Sequence, residues 1–361
     1  MSDDLLPEPD RSGASPHPRF ATTLFGHGTN RASFEAAMAT SMPHGWMLSG
    51  PKGVGKATFA WAAARALLTG APELTIGPED PLARRVTALS EPRLALLRRS
   101  WDDRAKRLKS QITVDEVRKL HGFLGLAAPD GGRRVVLIDA ADEMNLSAAN
   151  AVLKLLEEPP DDAVFLLVVH RTDAILPTIK SRCRTLRFGP LGADDLRGAL
   201  SGAGLAMLPN EAGLLALSAG SAGAAAALIE EDGLSLYEDL LGLMATCPDL
   251  DRARALALAN SASGREAEAR RDLIVRLFET LLSRLAAAGA GRPPVPWVSD
   301  AEAQLAHRLA PDLIAAQAWA ETLEQVSSRV RRALAVNLDP SGLILDMVLS
   351  INGTAGRVAQ P

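Results

Sequence analysis

The sequence feature that most constrains the fold is a glycine-rich loop between an apolar run and an alanine-rich segment. Residues 50–58 read Gly-Pro-Lys-Gly-Val-Gly-Lys-Ala-Thr, and the apolar residues 46–48 precede them directly. The pattern G-x-x-x-x-G-K between a strand and a helix is typical of a phosphate-binding P-loop, because glycines let backbone N–H groups turn toward an anion. The loop therefore predicts an α/β domain with a nucleotide cradle, whose candidate residues are Gly50, Gly53, Gly55 and Lys56.

One position of this loop departs from the pattern. A P-loop normally places Ser or Thr after the lysine, where the hydroxyl ligates magnesium, but this chain has Ala57. Thr58 follows one residue later, about 100° further round the helix, so it does not simply substitute. We keep Thr58 as a candidate residue of a degenerate nucleotide site. Two interpretations stay open for Lys56: it holds ATP or phosphate without hydrolysis, or it bonds only to local carbonyl groups.

A second chemical feature is an apolar strand that ends in an acid. Residues 134–139 read Arg-Val-Val-Leu-Ile-Asp, the arrangement that a P-loop NTPase uses to hold the magnesium shell with its acid, here Asp139. Ring-forming ATPases usually follow this acid with a glutamate that orients the attacking water, and this chain has Ala140. Asp142 lies past the strand end and is a weak substitute. We therefore expect a nucleotide fold with no ATP hydrolysis of its own.

The pattern along the chain predicts three folded parts. Strands alternate with helices over residues 40–188, which indicates a parallel sheet, and residues 191–361 show helical patterns without a convincing strand. We predict the following division: a disordered tail at 1–18, an α/β domain at 19–189, a small helical domain at 190–245, a second helical domain at 246–352 and a tail at 353–361.

The composition excludes several classes of protein. The net charge of −4 gives no overall attraction to nucleic acid, so any contact with DNA must come from a local patch. The two cysteines, Cys183 and Cys247, form no C-x-x-C pair, and we predict neither a zinc site nor a disulfide framework. No apolar run approaches the ~18 residues of a membrane helix. We expect a cytoplasmic protein with no membrane contact.

Three stretches together resemble one known family. Residues 43–56 contain the glycine loop, residues 147–160 end in Glu-Glu-Pro-Pro, and residues 181–183 are Ser-Arg-Cys. These segments resemble the clamp-loader branch of the AAA+ proteins, and residues 337–340 (Asn-Leu-Asp-Pro) are similar to the end of the collar domain in that family. The resemblance implies an AAA+ P-loop α/β domain followed by two all-α domains, a small lid bundle and a C-terminal collar.

The resemblance also implies a role for Arg182. In the clamp-loader family, the Ser-Arg-Cys arginine acts in trans as an arginine finger on ATP held by a neighbouring subunit. A planar guanidinium that is always charged suits this chemistry. Gly220-Ser221-Ala222-Gly223 stands where ATP-hydrolysing members usually carry Gly-Ser-x-Arg, so the lid arginine is absent. With Ala57 and Ala140, this absence implies a non-hydrolysing subunit that requires no cofactor.

The implied partners are ATP-binding motor subunits, the delta subunit and, through the complex, the sliding clamp and primer–template DNA. Two alternatives remain: a catalytically active AAA+ ATPase of the motor type, and a nucleotide-gated interaction module outside replication. The basic residues 93–109, which include Trp101, either contact DNA directly or form a solvated loop. Some family members carry a four-cysteine zinc module, whereas residues 66–112 contain no cysteine.

Overall fold

The computed structural model describes residues 8–10, 15–75, 77, 79–125, 132–264, 267–335 and 339–359. Contacts divide the chain into two compact units. Unit 1 comprises residues 1–205 and 220–223, and unit 2 comprises residues 206–219 and 224–361. The predicted P-loop region lies entirely within unit 1.

Unit 1 contains the strands of the described chain. Their bounds are β1 (Gly45–Ser49), β2 (Leu94–Leu97), β3 (Trp101–Asp102), β4 (Arg107–Leu108), β5 (Arg134–Ile138), β6 (Ala163–Val169) and β7 (Arg184–Arg187). Five of these strands form a parallel sheet in the order β2-β5-β6-β1-β7, and β3 pairs with β4 as a small antiparallel hairpin. Because the strands of the main sheet are parallel, their carboxyl ends share one edge, where ligands usually bind in such folds.

Helices connect the strands of unit 1. They are α1 (Gly28–Ala39), α2 (Lys56–Thr69), α3 (Pro81–Thr87), α4 (Val114–Gly125), α5 (Leu146–Glu157), α6 (Pro177–Lys180) and α7 (Ala193–Gly202). A capping box starts α4: the Thr113 N–H donates to the Glu116 carboxylate at 2.9 Å. Asn145 caps α5 by accepting from the N–H of Ala148 at 2.9 Å.

Two apolar layers cover the main sheet. The residues of β5 alternate between them: Val135 and Leu137 belong to a cluster with α1 and α2, whereas Val136 and Ile138 belong to a cluster with α4 and α5. This alternation follows from the two-residue period of a strand. Burial on both faces explains why these strands read as continuous apolar runs in the sequence.

Among the described residues of unit 2, the regular secondary structure is helical. Its helices are α8 (Glu211–Ser218), α9 (Ala222–Glu230, of which the first two residues belong to unit 1), α10 (Gly233–Ala245), α11 (Arg252–Ser261), α12 (Glu268–Gly289), α13 (Asp300–Leu309), α14 (Leu313–Ala335) and α15 (Pro340–Val358). Helix α12 is amphipathic, and the apolar residues on one of its faces are buried, including Leu273, Leu277 and Leu281. Glu302 is buried as well; it accepts from the Tyr237 hydroxyl at 2.8 Å and pairs with Arg284.

Helical and paired residues lie within the two predicted tails. Helix α15 continues to Val358, and Thr354, buried inside it, shares a 2.7 Å hydrogen bond with the Thr322 hydroxyl. The sequence did not predict that α15 continues past residue 352, because threonine and glycine are poor helix formers. At the other end, Asp10 and His17 form a buried 2.9 Å pair, which composition alone did not reveal.

Other predicted features lie partly outside the described residues, namely 1–7 and 11–14 of the first tail and 336–338 of the collar motif. The boundary between the predicted lid and collar domains stays a prediction. The contacts instead place α7 and residues 220–223 with the P-loop region, and they place the rest of residues 206–361 in unit 2.

Candidate functional site

The glycine loop lies at the carboxyl edge of the main sheet, between the end of β1 and the start of α2. Gly50 follows Ser49 directly and has φ of +151°. A Cβ atom at Gly50 would lie 2.1 Å from the carbonyl oxygen of Phe188, so only glycine permits this approach of two backbones. The Phe188 N–H in turn donates to the Ser49 carbonyl at 2.8 Å, which fixes the mouth of the loop against the chain after β7.

The Lys56 side chain is turned onto its own loop. Its ammonium group donates to the carbonyl oxygen of Gly50 at 2.8 Å and to that of Pro51 at 2.5 Å. The residue is only 2% exposed. Burial lowers the pKa of Lys56 to about 8, partly offset by the charge of Asp139. These two bonds hold the ammonium group of Lys56 against its own loop.

Residues 220–223 cover the middle of the loop. The Ser221 hydroxyl donates to the Lys52 carbonyl at 3.0 Å, and the Gly223 N–H donates to the Gly53 carbonyl at 3.1 Å. A Cβ atom at Gly53 would lie 2.3 Å from the Ser221 Oγ. The segment that lacks the family's lid arginine therefore packs directly on the predicted cradle, a contact that the sequence did not predict.

Asp139 lies immediately after β5 and is buried. Burial is the main cause that raises the pKa of this carboxyl to about 7, and the nearby carboxylates of Asp10 and Glu143 act in the same direction. Lys56 and Lys52 lower the pKa again, so the acid and the loop lysine are close enough to interact. Ala140, also buried, supplies no base beside it.

Asp142 and Thr58 are poor replacements for the missing glutamate and the missing metal-ligating hydroxyl. The Asp142 carboxylate caps the end of β6, accepting from the N–H of His170 at 2.8 Å and from that of Arg171 at 3.3 Å. Thr58 and Ala57 are half-buried in the first turn of α2. The structure thus brings the glycines, Lys56 and Asp139 together, and it gives Asp142 a structural role.

Arg182 lies at the opposite edge of the sheet. A Cβ atom on Gly45, the first residue of β1, would lie 3.1 Å from the carbonyl oxygen of Arg182. The glycine loop follows the last residue of the same strand, and the four steps of about 3.3 Å between the five residues of β1 separate its two ends by about 13 Å. This separation exceeds the length of an arginine side chain, so Arg182 does not serve the loop of its own chain.

The contacts of Arg182 fix its direction. Its Nη2 pairs with the Glu157 carboxylate at 2.8 Å, and its Nη1 donates to the carbonyl of Thr178 at 3.0 Å and to the hydroxyl of Ser181 at 3.4 Å. The side chain is 35% exposed. Cys183 packs inward beside it, and burial raises the pKa of this thiol to about 12. In the sequence, Glu157 is visible only as part of the Glu-Glu-Pro-Pro motif, which does not reveal its ion pair with Arg182.

Ion pairs occupy much of the basic stretch at residues 93–109. Arg99 pairs with Glu143 at 2.7 Å, and Lys109 pairs with Glu116 at 3.0 Å. Arg98 binds the acids of the N-terminal segment, Glu8 and Asp10. Arg104, Lys106 and Arg107 are exposed on the β3–β4 hairpin. These pairs favour a structural role for most of the stretch, and direct contact with DNA stays an untested possibility.

The parallel sheet, the glycine loop that follows β1 at its carboxyl edge and the acid that follows β5 define a P-loop α/β core. Comparison with known proteins is more specific. Residues 31–192 match the family model described as "DNA polymerase III, delta subunit". By this match and by its curated relatives, the chain is similar to delta-prime-type subunits of DNA polymerase III.

Two curated relatives are both named DNA polymerase III subunit delta'. The protein from Pseudomonas aeruginosa is 41% identical over 142 residues, which cover 39% of this chain and 41% of the relative. The protein from Escherichia coli is 33% identical over 212 residues, which cover 58% and 61%. The chain thus spans about half the length of the curated relatives it matches. A solved gamma-subunit-related protein from Thermotoga maritima is 17% identical, with a TM-score of 0.45 over 90% of this chain and 99% of its own.

Two further observations concern membranes and metals. Within the described ranges, no helix is both long and apolar enough to cross a membrane. Among the same residues, no group of three or more His, Cys, Asp or Glu side chains is arranged to hold a metal ion. The absence of zinc stays a prediction.

Proposed function

We propose that this chain is a non-hydrolysing subunit of a bacterial clamp loader that supplies Arg182 in trans to ATP on a neighbouring motor subunit. Its partners in this proposal are the motor subunits and the delta subunit and, through the complex, the sliding clamp and primer–template DNA. The complex would act in the cytoplasm, as part of the DNA polymerase III holoenzyme. Completion of the ring would couple clamp loading to hydrolysis.

The observation that carries the proposal is the placement of Arg182 at the edge of the sheet opposite the glycine loop. An arginine that cannot reach the loop of its own chain, yet keeps a partly exposed guanidinium, suits a phosphate on another subunit. An arginine finger spreads charge over phosphate oxygens as the transition state forms, and such a residue accounts for about 10³–10⁵ in rate in phosphoryl transfer.

The state of the glycine loop supports the non-hydrolysing half of the proposal. Ala57 offers no hydroxyl for magnesium and Ala140 offers no base for water. Lys56 bonds to the carbonyl groups of its own loop. Nucleotide would have to displace those bonds and the cover of residues 220–223, so we infer that the site stays empty at ordinary ATP concentrations.

The test is ATP hydrolysis by a reconstituted loader with clamp and primed DNA. We expect Arg182→Ala to lower turnover at least about 10³-fold. Arg184→Ala removes the same charge two residues away on β7 and is the matched control, with turnover close to that of the unchanged complex. The lone chain should hydrolyse no ATP.

Three results would contradict the proposal. Strong turnover by the lone chain would favour the alternative of an active motor-type ATPase. Wild-type turnover by an assembled Arg182→Ala complex would remove the finger role. Failure of the chain to bind any clamp-loader subunit would instead favour an interaction module outside replication, which pull-down with purified motor and delta subunits measures directly.

A further inference from the structure

Arg182 is held from one side by its own chain. Helix α6 supplies the Thr178 carbonyl, and Ser181, directly after this helix, supplies its hydroxyl; both accept from Nη1. The last residue of α5 supplies the Glu157 carboxylate, which accepts from Nη2 at 2.8 Å. Two separate elements therefore converge on one guanidinium.

The remaining donors of Arg182 are available. A guanidinium has five N–H donors in a fixed planar fork. Within the part of the chain that the structure describes, Nη1 makes its bonds to Thr178 and Ser181, and Glu157 accepts from Nη2 alone. Nε and one N–H of Nη2 thus have no partner there. With 35% of the side chain exposed, this edge of the fork can meet an anion from outside the chain.

We propose that Glu157 is a positioning residue that orients Arg182 for phosphate on a neighbouring subunit. This inference rests on the finger role proposed above. A carboxylate that blocked Arg182 would accept from two nitrogens of the guanidinium in a bidentate pair, as carboxylates commonly do with arginine. Glu157 instead binds a single nitrogen and leaves the outer edge of the fork open.

The ion pair has little capacity to stabilise the fold. Its side chains are 35% and 41% exposed, and exposed ion pairs contribute little to folding because water screens them. Loss of Glu157 should therefore leave the melting temperature nearly unchanged while it releases the guanidinium. If stability is unchanged, a lower turnover in Glu157→Ala can be attributed to the orientation of Arg182.

The chain provides a matched control in the next residue. Glu158 has the same charge, is exposed and follows the end of α5, where its backbone N–H donates to the Lys154 carbonyl at 3.2 Å. Its carboxylate has no partner among the described residues. Glu158→Ala therefore repeats the change in charge without releasing Arg182.

The experiment compares Glu157→Ala, Glu157→Gln and Glu158→Ala in the reconstituted loader with clamp and primed DNA. We expect Glu157→Ala to lower kcat about tenfold with KM for ATP unchanged, because misplacement of about 1 Å can cost up to about 10²-fold in rate. Glu157→Gln should recover most of the loss, since the amide oxygen can accept the same bond. Glu158→Ala should match the unchanged complex.

Unchanged or faster turnover in Glu157→Ala would overturn the inference. So would equal losses in Glu157→Ala and Glu158→Ala, or a failure of Glu157→Ala to assemble in size-exclusion chromatography, since both outcomes assign Glu157 to the subunit interface. The Arg182→Ala complex separates the two proposals. Normal turnover in the Glu157→Ala complex together with lost turnover in the Arg182→Ala complex would refute only the positioning role. Normal turnover in the Arg182→Ala complex would refute the finger role itself.

Discussion

The two edges of the main sheet carry groups suited to ATP chemistry in opposite states. At the carboxyl edge, the ammonium group of Lys56 is buried and bonded to the carbonyls of its own loop. At the other edge, Arg182 is anchored by Glu157 and Thr178 and keeps part of its guanidinium exposed. In the proposed function, the loop is inactive because Lys56 donates to carbonyls of its own chain, and the finger can act because part of its guanidinium stays available to another subunit.

After Arg182→Ala, the largest effect should come from Arg182→Lys in the reconstituted loader. Lysine keeps the charge but loses the planar fork, so it cannot bind Glu157 and a phosphate with different edges of one group. We expect turnover to fall about 10²-fold or more, measured as steady-state ATP hydrolysis with clamp and primed DNA. Arg184→Lys is the control for loss of a guanidinium nearby. Near-normal turnover in Arg182→Lys would mean that charge alone suffices and would weaken the contrast between the edges.

At the carboxyl edge, Gly53→Ala should destabilise the chain more than Gly55→Ala. Both glycines have positive φ, +80° and +100°, so each alanine carries the cost of a left-handed conformation, about 1–2 kcal/mol. Only at Gly53 would the new Cβ atom meet Ser221 Oγ, whereas nothing lies within 4 Å at Gly55. We expect a further loss of about 1 kcal/mol in the free energy of unfolding for Gly53→Ala, measured by urea denaturation. Equal losses would show that Ser221 does not cover the loop in solution.

Asp139→Asn should change how stability depends on pH. Because the folded pKa of Asp139 is raised to about 7 from 3.8, its contribution to stability is full below the unfolded value and is lost as pH rises through the folded value. The groups that set this pKa are Asp10, Glu143, Lys56 and Lys52.

Asparagine cannot ionise, so the variant should gain stability relative to the unchanged chain as pH rises. We expect a gain on the order of 2 kcal/mol between pH 5 and pH 8, measured by urea denaturation at both values. Glu143→Gln, in the same cluster but only half-buried, is the comparison. A difference that does not change with pH would mean that Asp139 stays ionised when folded.

The smallest expected effect concerns the glycine loop at the carboxyl edge. It tests whether ATP hydrolysis appears when the hydroxyl and the glutamate that the motif lacks are restored. The double variant Ala57→Thr, Ala140→Glu supplies the hydroxyl and the glutamate that the motif lacks. We expect no measurable ATP hydrolysis by the lone chain, because Lys56 and residues 220–223 still occupy the cradle. Hydrolysis above background in a coupled-enzyme assay would show that the two alanines alone inactivate the site.

Much of the fold could be read from local patterns. The strands at 134–138 and 163–169 are apolar runs because helices cover both faces of the sheet, and the amphipathic stripe of α12 has helical spacing. The sequence did not predict α10, α11 or the last turns of α15. Their helical signals are weak, as in the low-polarity stretch 233–245 and in the buried Thr354, and packing decides their conformation.

The sequence by itself determined that the chain has a glycine loop without its metal ligand, an acid without a following base and a Ser-Arg-Cys arginine, because each depends only on which residue stands at a position. Tertiary structure alone decided what those residues touch. Lys56 turned to its own carbonyls, Ser221 reached Lys52 across 169 residues of chain, and Glu157 met Arg182 because α5 and α6 end at one edge of the sheet. Such contacts arise from the parallel topology, which brings distant segments together at distances that no local pattern encodes.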